Sequence, residues 1–469
     1  MAVSFFGRKA KSSMSHRDDR MPANQTALLT DLYQLNMLAA YLDHGLTDTA
    51  VFELFVRKLP PYRGFLMAAG LEQALAYLET LAFSQEDIAR LRALGGFSEC
   101  FLEFLSGLRF TGDVDALPEG TVFFPDEPIL RVIAPLPQAQ LVETRLINLG
   151  HFETVIASKA ARLVLAAEGK PLIDFGLRRA HGAEAGMLAA RASYIAGFAG
   201  TATLAAGLQY GIPVKGTMAH SFIQSHDDEI AAFELFARSR PHDLVLLIDT
   251  YDTERAAGRV VGLAHRLATE GIAVSGVRID SGNLGEHARK VRRILDAGGL
   301  RSVAIVASGG LDEDGLLALR GAPIDSFGVG TSLTTSSDAP GLDCAYKLQE
   351  YAGKPRRKRS EGKATWPGRK QVWRSRAANG EFTGDLVALD SEAHEGEALL
   401  RPFMRGGRRI APAKPLKETR AYARDQLARL PAALRRLEPF VYPVAIGAGL
   451  RDLAAALDRT ESAGPAPPT

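Results

Sequence analysis

Between residues 171 and 330 the chain repeats one pattern, which constrains the fold more strongly than any other feature of the sequence. A short apolar run ends in Gly, Asp or Arg, and a stretch with helical periodicity follows it. Strands that alternate with helices in this way are typical of βα units, whose strands form a parallel sheet. The apolar runs of the pattern lie at 172–176, 212–216, 244–249, 273–280, 302–307 and 326–329.

Six such units and one ambiguous strand fit a closed or nearly closed barrel better than an open sheet. We therefore predict an α/β fold, an irregular TIM-like parallel α/β barrel with an α+β N-terminal domain and a smaller C-terminal region. A doubly wound open sheet is the alternative. Residues 138–167 should be helical, with a break near Gly150. The predicted divisions are a disordered leader at 1–25, the N-terminal domain at 26–145, the barrel at 146–346, a C-terminal region that packs on the N-terminal domain at 347–460, and a disordered tail at 461–469.

The composition excludes several classes of protein. Lys plus Arg number 56 and Asp plus Glu number 54, so the 469 residues carry a formal net charge of only +2. A nucleic-acid binder usually has a basic excess, so we expect no nucleic-acid partner. No run of about 18 apolar residues is available to span a membrane, so we expect no membrane partner. Cys100 and Cys344 lie far apart without metal-ligand spacing, and this cysteine usage suits a cytoplasmic protein.

In a parallel α/β barrel the active site lies at the carboxyl ends of the strands. Nearly every predicted strand end of this chain carries polar residues or glycine. One polar end means little, because βα loops are generally polar, but six such ends at one rim predict a binding site. The rim residues are Asp174, Gly176, Arg178, Arg179, Lys215, Gly216, Thr217, His220, Asp249, Thr250, Asp252, Arg278, Asp280, Ser281, Gly282, Ser308, Gly309, Gly310, Gly328, Gly330 and Thr331.

The last two strand ends predict a phosphate site. Residues 308–310 (Ser-Gly-Gly) precede a helix that should begin near Asp312, and Gly-Val-Gly-Thr-Ser at 328–332 closes the next strand. Glycines let backbone N–H groups approach a phosphate closely, and the dipole of a helix N-terminus favours an anion. Loops after the last two strands are the usual phosphate cradle of such barrels. Ordinary turn glycines are the alternative interpretation.

Charged side chains at the rim suit a phosphorylated substrate. Arg178, Arg179 and Arg278 can grip a phosphate or carboxylate through two hydrogen bonds at once, or instead form structural ion pairs with neighbouring aspartates. Asp249 and Asp252 offer the oxygen ligands that Mg²⁺ prefers, although helix capping and pairing with arginine would suit them equally.

His220 is the single histidine of the rim. It follows Gly216 and Thr217 and has the polar Ser221 beside it. A lone histidine is more often a structural group, but in this polar setting we predict a catalytic role.

Several segments resemble those of the nicotinate phosphoribosyltransferases, in order along the chain from about residue 27 to about residue 375. They include Asp-Phe-Gly-Leu-Arg-Arg-Ala at 174–180, Gly-Thr-Met-Ala-His-Ser at 216–221 and Val-Arg-Ile-Asp-Ser-Gly at 277–282. Many separate motifs agree, so the resemblance is specific. Further matching segments lie at 28–34, 52–55, 249–252, 328–332 and 362–368.

The resemblance implies that nicotinate is joined to the phosphoribosyl group of phosphoribosyl pyrophosphate, which gives nicotinate mononucleotide and pyrophosphate in NAD salvage. It also implies ATP as a co-substrate, hydrolysed through a phosphorylated histidine, and a homodimer whose active site lies near the subunit boundary. The Gly-Thr-x-Ala-His motif puts the phosphorylated histidine at His220. The family's nicotinate contacts fall on Tyr33, Thr217 and Arg278, and Thr331 matches a position that touches the phosphoribosyl substrate.

The chemistry agrees with these assignments. Departure of pyrophosphate leaves an oxocarbenium-like ribose, so the protein must position the ring nitrogen and stabilise the leaving group. Mg²⁺ and arginines would serve the pyrophosphate, and the glycine loops would serve the 5′-phosphate. Nicotinate is a flat anion, which an aromatic face and a cation can hold. The predicted substrate-binding residues are Tyr33, Arg178, Thr217, Arg278, Asp280, Ser281, Ser308, Gly309, Gly310, Gly328, Gly330 and Thr331.

The nearest alternative is nicotinamide phosphoribosyltransferase, which shares the fold and reads the amide with an acidic residue in a Phe-x-Gly-Thr-Asp context. Here residues 198–202 are Phe-Ala-Gly-Thr-Ala, so Ala202 favours the free acid. Quinolinate phosphoribosyltransferase is a weaker alternative, because it lacks the histidine motif and must hold two carboxylates.

One basic run belongs to none of these assignments. Residues 354–359 are Lys-Pro-Arg-Arg-Lys-Arg. Such a run can bind nucleic acid, attract phosphorylated substrates or be a solvated loop.

Overall fold

The computed structural model describes residues 27–462. The predicted leader at 1–25 lies outside these residues. Of the predicted disordered tail at 461–469, residues 461 and 462 belong instead to the last helix, which ends at Ser462, and the rest lies outside the described residues. The strands are β1 (Thr49–Val56), β2 (Leu66–Met67), β3 (Asp113–Ala116), β4 (Val122–Phe123), β5 (Pro128–Pro135), β6 (Leu172–Asp174), β7 (Gly200–Thr201), β8 (Leu244–Leu247), β9 (Val274–Ile279), β10 (Ala304–Ala307), β11 (Ser326–Val329), β12 (Cys344–Tyr351), β13 (Lys354–Pro355), β14 (Lys370–Arg376), β15 (Phe382–Leu389), β16 (Glu397–Ala398), β17 (Arg401–Arg405), β18 (Arg408–Arg409) and β19 (Val444–Ile446). The helices are α1 (Leu32–Asp43), α2 (Leu71–Thr80), α3 (Gln85–Leu94), α4 (Glu99–Gly107), α5 (Leu136–Leu141), α6 (Glu143–Ala166), α7 (Ala183–Ala196), α8 (Leu204–Tyr210), α9 (His220–Gln224), α10 (Glu229–Ser239), α11 (Thr253–Thr269), α12 (Leu284–Ala297), α13 (Glu313–Ala318), α14 (Thr331–Thr335), α15 (Leu416–Ala428), α16 (Ala432–Arg435) and α17 (Ala448–Ser462).

An antiparallel sheet of seven strands gathers distant parts of the chain. Its order is β13-β12-β1-β5-β3-β17-β18, so strands from residues 49–135 lie beside strands from residues 344–409. All of its neighbouring strands run antiparallel. The central strand β1 is buried from Ala50 to Val56, which shows that both of its faces are covered.

A parallel sheet of six strands carries the predicted βα units. Its order is β7-β6-β11-β10-β9-β8, and all of its neighbouring strands run parallel. Five of the predicted runs form strands of this sheet, whereas the run at 212–216 contributes one isolated bridge, from Val214 to Thr201. Parallel strands end at the same edge, so the polar strand ends lie along one rim.

The parallel sheet is curled, and the predicted closed barrel is supported only in part. Lys215 follows the bridge at one edge of the sheet, and Asp243 precedes β8 at the other edge. Lys215 Nζ nevertheless lies 3.1 Å from Asp243 Oδ2, so the two edges come close together. Within residues 27–462 no ladder of hydrogen bonds joins them, so the sheet is an open half-barrel. The run at 212–216 forms a single bridge and no regular strand, so it does not close the barrel.

Helix α6 connects the two main apolar cores. Leu146 near its start packs in the core of the antiparallel sheet, and residues 155–166 pack in the core of the parallel sheet. The predicted break at Gly150 is wrong, because the helix is continuous from Glu143 to Ala166. A Cβ at Gly150 would lie 3.3 Å from Leu54 Cδ2 of β1, so this glycine permits close packing on the sheet.

The C-terminal part of the described chain adds a smaller sheet, with the order β16-β14-β15-β19. Arg374 of β14 is fully buried there, and its guanidinium donates to both carboxylate oxygens of Asp385 in β15. No helix within residues 27–462 combines the length and the apolar character needed to cross a membrane.

Candidate active site

His220 lies at the rim, as predicted, and its ring is oriented by a neighbouring strand end. The residue begins the short helix α9, and its Nδ1 lies 3.1 Å from Thr250 Oγ1, just after β8. This contact leaves Nε2 as the ring nitrogen without a hydrogen-bond partner among the described residues. A histidine held by one nitrogen can react through the other.

Asp249 joins two strand ends through one of its carboxylate oxygens. Its Oδ2 accepts hydrogen bonds from Asp280 N at 2.9 Å and from Ser281 Oγ at 2.6 Å. Its Oδ1 is buried and has no hydrogen-bond partner among residues 27–459. A buried carboxylate oxygen without a partner is costly, so this atom is a candidate ligand for a cation or a donor group of a substrate.

Asp252 has the capping role that the sequence left open for it. Its Oδ1 accepts a hydrogen bond from Arg255 N at 2.8 Å and so caps helix α11. The described part of the chain holds no cluster of three or more His, Cys, Asp or Glu side chains arranged for a metal. Asp249 and Asp252 therefore do not form a complete metal site by themselves.

Arg278 and Phe175 create a surface suited to a flat anion. The Arg278 guanidinium carbon lies 5.9 Å from the centre of the Phe175 ring, and Arg278 Nη2 donates to the carbonyl of Met218 at 3.2 Å. Met218 follows Thr217, so this bond brings the predicted Thr217 and Arg278 to the same place. Burial lowers the pKa of Arg278, and the carboxylates of Asp280 and Asp249 oppose this shift.

Phe175 was not predicted as a site residue, although it lies within the segment 174–180 that resembles the family. Phe175 directly follows β6. An aromatic residue at the end of a predicted strand is the sequence signal that could have identified it as a site residue. Gly328 makes room for the ring, because a Cβ there would lie 2.3 Å from Phe175 Cε2. Gly328 belongs to strand β11 and pairs with β6 inside the sheet. At the rim it therefore leaves space for the Phe175 ring.

Arg178 and Arg179 do not form the structural ion pairs considered from the sequence. Both are exposed in the short 3₁₀ turn Leu177–Arg179, and no carboxylate within residues 27–459 pairs with either. Asp174, the expected partner, instead accepts hydrogen bonds from Gly176 N at 2.7 Å and Thr201 Oγ1 at 2.6 Å. The two guanidinium groups are therefore available to an anion.

The predicted phosphate loops lie at neighbouring strand ends. Gly309 has a φ of +100° and Gly310 a φ of +65°, which is backbone that favours glycine. A Cβ on Gly309 would lie only 2.0 Å from the carbonyl oxygen of Asp280. Ser308 is buried and donates to Asp280 Oδ1, while Thr331 is exposed at the start of α14.

Tyr33 is not brought to the rim of its own chain. It lies on α1, which packs on α5 beside the antiparallel sheet. Its ring is 46% exposed, and its electrostatic neighbours are Asp31, Gln34, Glu143 and Thr144. None of these is a rim residue.

Ala202 occupies the rim at the end of β7. Its N–H donates to the carbonyl of Asp174 at 2.8 Å, so it lies beside the strand end that carries Phe175. Its methyl side chain places no acidic group there.

Comparison with known proteins gives the family. The profile of the nicotinate phosphoribosyltransferase (NAPRTase) N-terminal domain matches residues 28–149, that of the NAPRTase family matches residues 171–354, and that of the C-terminal domain matches residues 393–454. The nicotinate phosphoribosyltransferase pncB2 of Mycobacterium tuberculosis is 52% identical over 90% of this chain and 91% of its own length. The Bacillus subtilis nicotinate phosphoribosyltransferase is 42% identical over 80% of this chain and 79% of its own length.

A solved structure agrees with these matches. The crystal structure of human nicotinic acid phosphoribosyltransferase aligns with a TM-score of 0.82 and 31% sequence identity, over 91% of this chain and 99% of the human chain. The nicotinate-nucleotide pyrophosphorylase from Pyrococcus furiosus aligns with a TM-score of 0.71 and 25% identity, over 92% of this chain and 100% of that one. The chain belongs to the nicotinate phosphoribosyltransferase family.

Proposed function

We propose that this chain transfers the phosphoribosyl group of phosphoribosyl pyrophosphate to nicotinate, as a step of NAD salvage. The observation that carries the proposal is the juxtaposition of Arg278 with the Phe175 ring, close to Arg178. Within residues 27–459 neither Arg178 nor its neighbour Arg179 has a carboxylate partner. An aromatic face with a cation suits the nicotinate ring and its carboxylate, and the two exposed arginines suit a diphosphate. Membership of the family supports the same reaction.

The reaction exchanges one bond at the ribose for another. The lone pair of the nicotinate ring nitrogen forms a bond to C1 of the ribose, and the C1–O bond to the diphosphate breaks with its electron pair on pyrophosphate. Positive charge develops at C1 in the transition state, so correct placement of the ring and stabilisation of the leaving group supply the catalysis. Phe175 and Arg278 place the ring, while Arg178 and Arg179 face the departing charge.

The glycine loops would hold the 5′-phosphate of the substrate. The positive φ values of Gly309 and Gly310 support this role, because they expose backbone N–H groups at a strand end. Thr331 adds an exposed hydroxyl at the neighbouring strand end.

Nicotinate is favoured over nicotinamide by the same residues. Arg278 offers a positive charge to the carboxylate, and Ala202 offers no acidic group to an amide. Quinolinate carries a second carboxylate, whose charge the single guanidinium of Arg278 would not neutralise.

The carboxylate oxygens at the rim are suitable ligands for a Mg²⁺ ion bound to the diphosphate. Asp249 Oδ1 lacks a partner among residues 27–459, and Mg²⁺ typically takes one or two carboxylates together with substrate phosphates. Asp249 and Asp280 would hold the ion, and Asp252 remains a helix cap. When bound, Mg²⁺ neutralises charge on the leaving pyrophosphate.

We further propose that ATP is a co-substrate that phosphorylates His220. Nε2 would attack the terminal phosphorus of ATP, the bond to the ADP oxygen would break, and Nδ1–H would donate to Thr250 Oγ1. The contact between Nδ1 and Thr250 accommodates this tautomer, because the threonine hydroxyl can accept a hydrogen bond from Nδ1–H. A phosphate on His220 would lie at the same rim as the substrates.

A homodimer and a cytoplasmic location complete the proposal. Tyr33 is exposed and its electrostatic neighbours are not rim residues, which supports an active site near a subunit boundary. We interpret the curled parallel sheet as the irregular barrel of a type II phosphoribosyltransferase.

The direct test uses the purified full chain with nicotinate, phosphoribosyl pyrophosphate, ATP and Mg²⁺. We expect nicotinate mononucleotide and pyrophosphate in equal amounts, measured by mass spectrometry and a pyrophosphate assay. His220→Ala should retain a slow reaction that ATP no longer stimulates. Absence of the mononucleotide under all these conditions would refute the proposed reaction.

A further inference from the structure

A cavity lined by basic residues lies at the edge of the antiparallel sheet, away from the rim. Its volume is about 410 Å³, and we call it the basic cavity. None of its lining residues belongs to the predicted active site. The lining consists of Lys347, Leu348, Pro355, Arg356, Arg357, Lys358, Arg359 and Leu457.

The positive charge of the basic cavity is only partly compensated. Lys347 Nζ lies 3.6 Å from Glu143 Oε1, and Arg357 Nη1 lies 2.8 Å from Asp458 Oδ2. Arg356 and Lys358 are exposed, and neither has a carboxylate within 4.0 Å among residues 27–459. Arg359 Nη1 lies 3.9 Å from Asp458 Oδ1, so Asp458 neighbours two of the lining's cations. The positive charge that Arg356 and Lys358 leave uncompensated among these residues favours a bound anion.

The backbone that carries these cations is fixed. Lys358 N donates to Thr365 Oγ1 at 3.1 Å, and Thr365 N donates back to the carbonyl of Lys358 at 2.9 Å. Arg356 N donates to the carbonyl of Gln349 in β12 at 2.8 Å. Binding to a site whose backbone is already ordered costs less conformational entropy.

The side chain of Arg357 is also held in place. Its guanidinium carbon lies 5.8 Å from the centre of the Trp366 ring, and its Nη1 is paired with Asp458. Because Trp366 is covered by this contact, it is not a free platform for stacking nucleic-acid bases. The cavity favours a compact, highly charged anion over a nucleic acid.

We propose that the basic cavity binds a polyphosphate chain, either inorganic or as part of a nucleoside triphosphate. Several closely spaced cations match an anion that carries several charges along a short chain. Leu348, Pro355 and Leu457 provide an apolar wall for a nucleoside. An alternative explanation for the positive charge is that lysines on an edge strand such as β13 prevent pairing with another sheet. That role does not require the cations to line a cavity. The proposal is independent of the reaction proposed for the rim.

Acetylation of lysines in the intact chain tests this site directly. Inorganic tripolyphosphate should slow the acetylation of Lys358, measured residue by residue by mass spectrometry. Lys417, which is exposed on α15, serves as the internal control and should react at an unchanged rate. An unchanged rate at Lys358 with saturating tripolyphosphate would overturn the proposal.

Variants identify where the anion binds. Arg356→Ala should weaken the protection of Lys358 about tenfold, because one charge-assisted contact is lost. Arg424→Ala removes an equivalent exposed charge on α15 and should leave the protection unchanged. Arg178→Ala at the rim should also leave it unchanged, and a loss of protection in that variant would assign the anion to the rim instead.

Two further ligands distinguish the sources of the phosphate chain. Equal protection by ATP and tripolyphosphate supports recognition of the phosphates alone, whereas tighter protection by ATP supports added contact with the nucleoside. Protection by random-sequence DNA at lower phosphate concentration than tripolyphosphate would contradict the proposal.

Discussion

Asp249 and Thr250 are adjacent residues at one strand end, and they serve two different groups. Asp249 holds the backbone of Asp280 and the hydroxyl of Ser281, whereas Thr250 orients His220. The sequence predicted that all of these residues lie at one rim, but not which of them contact each other. Contacts between strand ends depend on strand register, which the sequence pattern alone does not define.

Thr250→Val tests the orientation of His220 at the scale of one hydrogen bond. Loss of the Oγ1 contact should reduce ATP stimulation and phosphorylation of His220 about five- to tenfold, as expected for one such bond. The reaction without ATP should stay unchanged. Acid-labile phosphate on His220 is measured by mass spectrometry, and Thr250→Ser, which keeps the hydroxyl, should behave as the natural chain. Equal stimulation in the valine and serine variants would show that Thr250 does not orient His220.

The sequence predicted which residues lie at the rim but not the partners of their side chains. The sequence left open whether Arg178 and Arg179 pair with neighbouring aspartates, and no such pair forms within residues 27–459. One of those aspartates, Asp174, accepts hydrogen bonds from Gly176 and Thr201 instead. The sequence did not predict Phe175 as a site residue. Its role depends on contact with Arg278, which lies on another strand. Such a pairing follows from three-dimensional packing and has no local sequence signal.

At the scale of elements, the loop after β10 depends on the conformation of two adjacent glycines. Gly309→Ala would place a Cβ 2.0 Å from the Asp280 carbonyl, so the loop must move. We expect the KM for phosphoribosyl pyrophosphate to rise at least about tenfold, because loop displacement disturbs phosphate binding. Gly310→Ala is the matched control, since nothing lies within 4 Å of its Cβ and only the positive φ opposes it. Its expected effect is a loss of about 1 kcal/mol of stability with a clearly smaller rise in KM than in Gly309→Ala. Similar KM values for both variants would contradict this account of the loop.

Helix α11 contains two glycines that packing does not require. A Cβ at Gly258 or Gly262 would meet nothing within 4 Å, and both positions are exposed. Gly258→Ala and Gly262→Ala should each raise the free energy of unfolding by about 0.5–1 kcal/mol, because alanine favours the helix. Urea titrations measure the change, and a decrease in either variant would reveal a contact that this structure lacks.

Some elements could be predicted from the sequence and others could not. The alternation of apolar runs and helices located five strands of the parallel sheet, because both periods are local properties of the chain. The break expected at Gly150 was wrong, since that glycine serves contact with Leu54 of a distant strand. The predicted closed or nearly closed barrel is supported only in part, because closure depends on pairing between sheet edges that are far apart in sequence.

At the scale of the whole molecule, a buried charge cluster links distant segments. Arg191 of α7 donates to Glu119 at 2.5 Å and to Glu153 of α6 at 2.9 Å. Glu119 also accepts hydrogen bonds from the backbone of Gly70 and Leu71 at the start of α2. Burial raises the pKa of Glu153 to about 8, Arg191 opposes this shift, and the charge of Glu119 adds to it.

This cluster predicts how stability depends on pH. The raised pKa means that the folded chain holds a proton on Glu153 between about pH 4.5 and pH 8, where the unfolded chain has released it. The contribution is therefore fully present below about pH 4.5 and is lost as the pH rises towards 8, by at most about 1.4 kcal/mol per pH unit. Glu153→Gln should remove this slope from the free energy of unfolding measured in urea between pH 5 and pH 8. An identical slope in the natural chain and the variant would contradict the pKa of Glu153.

The central claim is that Arg278, beside Phe175, selects nicotinate for phosphoribosyl transfer. The most direct measurement is the ratio of kcat/KM for nicotinate to that for nicotinamide. We expect a ratio of at least about 100 in the natural chain, because the amide leaves the half-buried guanidinium of Arg278 without its anion.

Two variants make this measurement specific to Arg278. Arg278→Met should reduce the ratio about tenfold or more, since the charge that recognises the carboxylate is lost. Arg179→Met should lower both kcat/KM values and preserve their ratio, because we propose that this exposed side chain binds the diphosphate and not nicotinate. A natural chain that prefers nicotinamide, or an Arg278→Met variant with an unchanged ratio, would contradict the account.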